Sequence, residues 1–231
     1  MRFNGKKSEF GFSIVELLVS MLISATLVAG AISLFVNNSR ASSDVLKITR
    51  INQEMRTVLD LITADVRRAG FWGNATTSIG QNNPFGITDV VQSPGCITYT
   101  YDDANANGTL QSPAETHGFR LNDTSGAIEI RSNAAACTDT TNWNLLTDNS
   151  MIKVTKLDFT RKTNCTNITN KTNSVCTVGD ANYTAPASGD ILVSVNSLTI
   201  NLDAELASAP EITVSLVDHV IVRNDIVSVA P

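Results

Sequence analysis

The chain has 231 residues, a formal net charge of −5 and 42% hydrophobic residues, enough for one membrane helix and one soluble domain of ordinary size. From Phe71 onward acidic residues outnumber basic ones, which excludes a domain that grips nucleic-acid phosphates through positive charge. There is no P-loop and no G-x-S-x-G elbow, and His117 and His219 stand outside any motif, so neither a motor ATPase nor another enzyme is expected.

The first element is a basic leader, with Arg2, Lys6 and Lys7 against Glu9, that ends at Gly11. An apolar run follows at once, Phe12-Ser13-Ile14-Val15-Glu16-Leu17-Leu18-Val19-Ser20-Met21, and no further charge occurs until Arg40. A helix rises about 1.5 Å per residue and needs roughly 20 apolar residues to cross a bilayer core of about 30 Å. Residues 12–36 exceed this. The preceding positive charge places the N-terminus on the cytoplasmic side and everything after the span outside the cytoplasm. The small residues between Ala25 and Ala31 leave an ordinary secretory signal as an alternative. Glu16 argues against it, because a carboxylate inside a membrane helix is costly and usually has a cationic partner and a role.

This leader, glycine, apolar run and single acid together resemble the class III signal peptide of type IV pilins and their relatives. The resemblance implies cleavage by a prepilin peptidase between Gly11 and Phe12, N-methylation of the new Phe12 terminus, and a role in assembly for Glu16. A buried carboxylate there would meet the terminal amine of a neighbouring subunit.

Beyond the span, Val45, Ile48, Asn52, Met55, Leu59, Ile62, Val66 and Ala69 repeat at spacings of three and four, one apolar stripe at helical period. Arg40, Asp44, Lys47, Arg50, Glu54, Asp60, Asp65 and Arg67 supply the polar faces, and no proline interrupts residues 12–70. Gly70 and Phe71-Trp72-Gly73-Asn74 read as the stop. A coiled-coil dimer would use such a stripe too, but the β-rich region that follows favours packing of the helix on its own sheet. Residues 71–95 are rich in Gly, Asn, Thr and Pro and read as a long loop. Strands are expected over 96–101, 118–121, 127–131, 152–161, 191–202 and 212–223, with 162–189 as a polar insertion. The predicted organisation is a leader (1–11), a transmembrane helix (12–36), its amphipathic continuation (37–70) and a β-rich head in the periplasm (71–231). The fold class is α+β, a long N-terminal helix whose outer half packs on an antiparallel sheet.

All four cysteines follow the span and face an oxidising compartment. Of three possible pairings, Cys96–Cys137 with Cys165–Cys176 is favoured; the second closes a short loop too polar to order itself. Zinc is disfavoured, since no C-x2-C pair occurs and both histidines are isolated. Phe71, Trp72 and Trp143 read as core or interface aromatics, and His117 as structural.

Asp103-Ala104-Asn105-Ala106-Asn107-Gly108-Thr109-Leu110 fits the first eight positions of an EF-hand-like loop. Asp103, Asn105 and Asn107 would offer side-chain oxygens and Thr109 a carbonyl, with Leu110 pinning the loop. The twelfth position is Ala114 rather than an acid. Glu115 lies one residue later, and Asp102 is a further possible donor. Calcium is thus a candidate ligand, and a solvated turn between strands is the alternative.

Four segments together resemble the PilW-type minor pilins: Asp65-Val66-Arg67-Arg68-Ala69-Gly70-Phe71, Cys96-Ile97-Thr98-Tyr99-Thr100-Tyr101-Asp102, Gly118-Phe119-Arg120-Leu121 and Val220-Ile221-Val222-Arg223-Asn224-Asp225. The J-type minor pseudopilins of type II secretion are similar. The resemblance implies a minor pilin of the initiation and tip complex, first in the bacterial inner membrane as a single-pass protein and then in the pilus. Its implied partners are other minor pilins and the major pilin, the prepilin peptidase, the inner-membrane assembly platform and a tip adhesin. Twitching motility, adhesion and DNA uptake are the implied outputs of such a pilus. A type II pseudopilin, or an anchored calcium-binding adhesin or sensor that never polymerises, are the competing functions.

Overall fold

The computed structural model describes residues 11, 13–76, 82–103, 106–169 and 174–231. The chain forms two compact units, one up to Lys47 and one from Ile48 to Pro231. One helix, α1, runs over Ile14–Val66.

In the first unit the helix carries its apolar side chains outward on every side, with Ile14, Leu17, Leu22, Leu27, Leu34 and Phe35 all exposed. Its most apolar window has a mean hydropathy of 2.2 and buries nothing. Such a surface belongs in lipid or against other apolar helices. Three of its hydroxyls donate within the helix, as suits a membrane segment: Ser20 Oγ to the Glu16 carbonyl (2.8 Å), Ser24 Oγ to that of Ser20 (2.7 Å) and Thr26 Oγ1 to that of Ile23 (2.8 Å).

In the second unit the outer end of α1 buries Ile51, Met55, Val58, Leu59, Ile62 and Val66. The stripe is broader than its sequence reading: Ile51 and Val58 join it, while Val45 and Ile48 stay exposed. Two antiparallel sheets complete the core. The first is a meander of β1 (Ile87–Val91), β2 (Cys96–Thr100), β3 (Thr116–Asn122), β4 (Ala127–Arg131) and β5 (Trp143–Leu145), paired in chain order. The second holds β6 (Ile152–Asn167), β7 (Ser174–Val175), β8 (Ile191–Leu206), β9 (Ala209–Ile221) and β10 (Ile226–Val229). β8 lies beside β6, and its other edge is shared end to end by β9, opposite 197–206, and β10, opposite 191–194. Alternation decides which face of β8 turns inward: Leu198, Ile200, Leu202, Ala204 and Leu206 are all buried. They join Ile97, Tyr99, Phe119, Ile128 and the helix residues in one core.

The structure corrects the strand list at several points. The expected loop 71–95 contains β1, which supplies an edge to the meander. β6 runs six residues past Arg161 into the expected polar insertion, because the equally long β8 pairs with it residue by residue as far as Asn167↔Leu192. β5 and β10 are short, and neither alternates strongly enough to be read from sequence. The cysteines pair as Cys96–Cys137 and Cys165–Cys176, with Cα–Cα distances of 5.9 and 4.9 Å. The first ties β2 to the segment before β5, and the second closes the β6–β7 excursion.

Candidate functional site

Two places collect the residues singled out by the sequence. At the start of α1, Gly11 is exposed, and Phe12, the expected cleavage and methylation position, lies outside the described residues. Ser13 caps the helix. Its Oγ accepts from the Val15 N–H (3.3 Å) and its carbonyl from the Leu17 N–H (3.1 Å). Ser13 and Glu16 therefore stand as cap and third helical residue, the S-x-x-E spacing that marks a helix start. An acid in this first turn also meets the positive end of the helix dipole. This second role of Glu16 was readable from the sequence and is independent of any neighbouring subunit.

The other place is the far end of α1, inside the second unit. The Asp65 carboxylate accepts from the hydroxyls of both Tyr99 and Tyr101, the latter at 2.8 Å. Arg68, one turn on, donates to the Tyr101 hydroxyl (3.1 Å), and its guanidinium lies 4.1 Å from the centre of that ring. His117 stacks on the ring of Tyr101, with centroids 3.9 Å apart and planes within 2°. The helix then stops at Gly70, whose φ of 76° suits glycine, and whose N–H donates to the Thr100 carbonyl (2.9 Å). Its last carbonyls are capped from elsewhere: Asn224 Nδ2 donates to those of Arg68 and Ala69, both 3.2 Å, and the Arg223 N–H to that of Arg67 (3.3 Å). The break between β9 and β10 puts Arg223 and Asn224 there.

Three of the four scattered segments quoted from the sequence thus converge at one junction. Asp65 and Arg68 come from the first, Tyr99 and Tyr101 from the second, and Asn224 from the last; β3, which carries the third, brings His117 beside them.

Residues 6–32 match the prokaryotic N-terminal methylation motif, and residues 44–222 match the profile of prepilin peptidase-dependent protein B. The chain belongs to the prepilin peptidase-dependent protein B family. Together the two matches make it a type IV pilin-like protein, of the minor pilin or pseudopilin kind, that depends on a prepilin peptidase. Among the described residues one helix is long and apolar enough to cross a membrane, consistent with the anchor of such a protein. No curated protein and no solved structure matches the chain.

The junction ties the end of the helix to the meander and to the segment between β9 and β10. Burial pushes the Tyr99 and Tyr101 hydroxyls well above their ordinary pKa, and the Asp65 charge adds to this, so both remain protonated donors. Beside them a cleft of about 520 Å³ is walled by Arg67, Arg68, Phe71, Asp102, Asp103 and Arg223.

The expected calcium donors are arranged differently from an EF-hand loop. Asp103 stands 3.7 Å from Arg68 Nη2. Asn107 Oδ1 accepts from the Thr109 N–H (2.9 Å), closing a turn on itself. Asn105 lies outside the described residues. Glu115 is fully buried, and so, to within 1% exposure, is Asp102. Among the described residues no group of three or more His, Cys, Asp or Glu side chains comes together as a metal cluster. Trp72 is half-buried and pins the loop through Nε1–H to the Gly108 carbonyl (3.0 Å). Phe71 is exposed, and Trp143 lies 4.5 Å from the Arg120 guanidinium rather than in the core.

His117 gives a pH prediction. Burial holds its pKa below the usual 6.5, so the unfolded chain takes up this proton more readily than the folded head. The stability linked to neutral His117 is complete above pH 6.5 and is lost as pH falls below it. Between pH 7 and pH 5 the melting temperature of the wild type falls further than that of His117→Gln, as read by calorimetry at both pH values. Equal falls would contradict the assignment.

Proposed function

We propose that this protein is a minor pilin of a type IV pilus, which joins the complex that initiates assembly and remains at the pilus tip. The observation that carries the reading is the combination of a methylation-motif helix, apolar on all its faces, with a separately packed disulfide-bonded head. Association, not catalysis, is the proposed mechanism. Apolar helices pack side by side through hollows such as that lined by Leu18, Met21, Leu22, Ala25, Thr26 and Ala29. Glu16 has no side-chain partner among the described residues. In the assembly it meets the terminal amine of a neighbouring subunit, the contact that balances its charge. The proposed partners are other minor pilins, the major pilin and the inner-membrane platform; the head faces the periplasm before assembly.

Deletion of the gene tests this reading against its main competitor. Loss of surface pili with secretion intact supports the minor pilin. Loss of protein secretion with pili intact assigns the chain to a type II secretion pseudopilin. A strain unaffected in both contradicts an assembly role.

A further inference from the structure

The second sheet ends in a long strand edge that no strand pairs among the described residues. β9 joins β8 over 197–206 and has no second partner. The Val222 N–H donates to the Asn196 carbonyl, and hydrogen-bonded pairs alternate along an antiparallel ladder. Thr213, Ser215, Val217, His219 and Ile221 therefore turn their N–H and C=O groups away from β8. The His219 N–H is taken by the Asp218 carboxylate (2.8 Å). Among the described residues the others have no backbone partner. At the break that follows, the Arg223 N–H goes to the Arg67 carbonyl of α1, so the open edge stops at Ile221.

Exposed edges are normally guarded by short length, lysine, proline or a bulge. The other edges of the head follow this rule. β1 has five residues, β5 three, β7 two and β10 four. β6, which β7 pairs only at 166–167, carries Lys153, Lys156, Arg161 and Lys162 and a register shift between Val154 and Lys156. From Glu211 to Ile221 there is no lysine, arginine, proline or register shift. The side chains beside this edge divide along its length. Toward Ile221 they are apolar: Val217 is 60% exposed and Ile221 64%, and Val227 of β10, on the same face, is 50% exposed. Toward Glu211 they are acidic. Asp203, opposed to Ser215, shares the face with Glu211, and neither has an ion pair among the described residues.

Such a row of backbone groups is matched by an extended chain that adds a strand to the sheet. We propose that the β9 edge from Thr213 to Ile221 receives a strand from the head of a different subunit of the assembly, basic where it passes Asp203 and Glu211 and apolar where it passes Val217 and Ile221. A second copy of this chain does not fit. Paired antiparallel, β9 would set its apolar end against the acidic end of its twin. Paired parallel, it would set acid beside acid, which is destabilising. The inference rests on the assembly reading above, for a pilus and a secretion system alike.

The test places a photoreactive benzoylphenylalanine at Ile221 of the full chain in its native cells. Irradiation is expected to give an adduct whose linked peptide, read by mass spectrometry, comes from the head of another subunit with a methylation-motif N-terminus. Val217→Pro removes one outward N–H without breaking a bond to β8, and Val217→Lys supplies the missing guard. Each is expected to cut the adduct by roughly tenfold or more, while the melting temperature of the purified chain stays within about 2 °C. Should Val217→Pro fail to fold, Val217→Lys, which keeps every N–H, carries the test. The same label at Thr160, exposed on β6, is expected to give no such adduct. The proposal is overturned if Ile221 gives no adduct, or one that joins two copies of this chain or a protein without that motif. It is equally overturned if Thr160 labels as well as Ile221, or if folded Val217→Lys leaves the yield unchanged. Loss of pili or of secretion on deletion, with no adduct, sinks this inference alone; deletion without either effect sinks the assembly reading and this inference with it.

Discussion

Gly11→Ala leaves the protein in the membrane as an unprocessed precursor. The structure isolates the cause. Gly11 is exposed, a Cβ built on it meets no atom within 4 Å, and its φ is not in the region that favours glycine. Alanine there costs the fold nothing, so any loss of processing reports recognition by the peptidase. The match to the methylation motif covers this position, and the leader before it carries the positive charge expected of a segment left in the cytoplasm. The expected outcome is near-complete loss of the shortened form, with the product heavier by the eleven residues of the leader. Normal processing of the variant would move the cleavage site elsewhere.

The second large effect is at the other end of the helix. Asp65→Ala removes the acceptor of two tyrosine hydroxyls, of which Tyr99 is completely buried. It also leaves the Arg68 guanidinium beside an unbalanced junction. Hydrogen bonds to a charged group contribute about 1.5–3 kcal/mol, and an orphaned buried donor adds its own desolvation cost. The head should lose about 3 kcal/mol, a fall of roughly 6–12 °C in melting temperature for a domain of this size. Tyr99→Phe removes the donor together with its need for a partner and should cost about 1 kcal/mol. Thermal unfolding of the two variants checks the order. A loss under about 2 °C for Asp65→Ala would mean that the junction does not secure the helix to the meander.

Elements with strong periodicity were legible in the sequence. The outer stripe of α1 and the inward face of β8 each repeat a simple spacing over many residues, and the apolar span shows itself by length and absence of charge instead. Short elements were not. β1 and β10 are edge strands of five and four residues, none of them buried, too short for a period to stand out in the sequence. The extension of β6 was hidden because Lys162, Thr163, Asn164 and Thr166 look like loop residues, and only the ladder with β8 makes them a strand.

The junction was half legible. Asp65, Tyr99, Tyr101 and Asn224 lie in the segments that carried the family resemblance, yet nothing in their spacing says that residues 34 and more than 150 positions apart share hydrogen bonds. The calcium candidates show the same limit. The loop pattern offers Asp103, Glu115 and Asp102 alike as donors, whereas the structure sets Asp103 beside Arg68 and buries the other two, differences that a sequence does not display. The capping role of Ser13 and Glu16 was within reach through the S-x-x-E spacing alone.

Processing at Gly11 and anchoring by the helix that follows are what the proposed role requires first. Peptide mass spectrometry of the N-terminus of the membrane-extracted wild-type protein tests them most directly. The expected terminus is Phe12, plain or methylated. A terminus at Met1 would make the helix an ordinary anchor, and one beyond Ser24 would make it a conventional secretory signal; either contradicts the account.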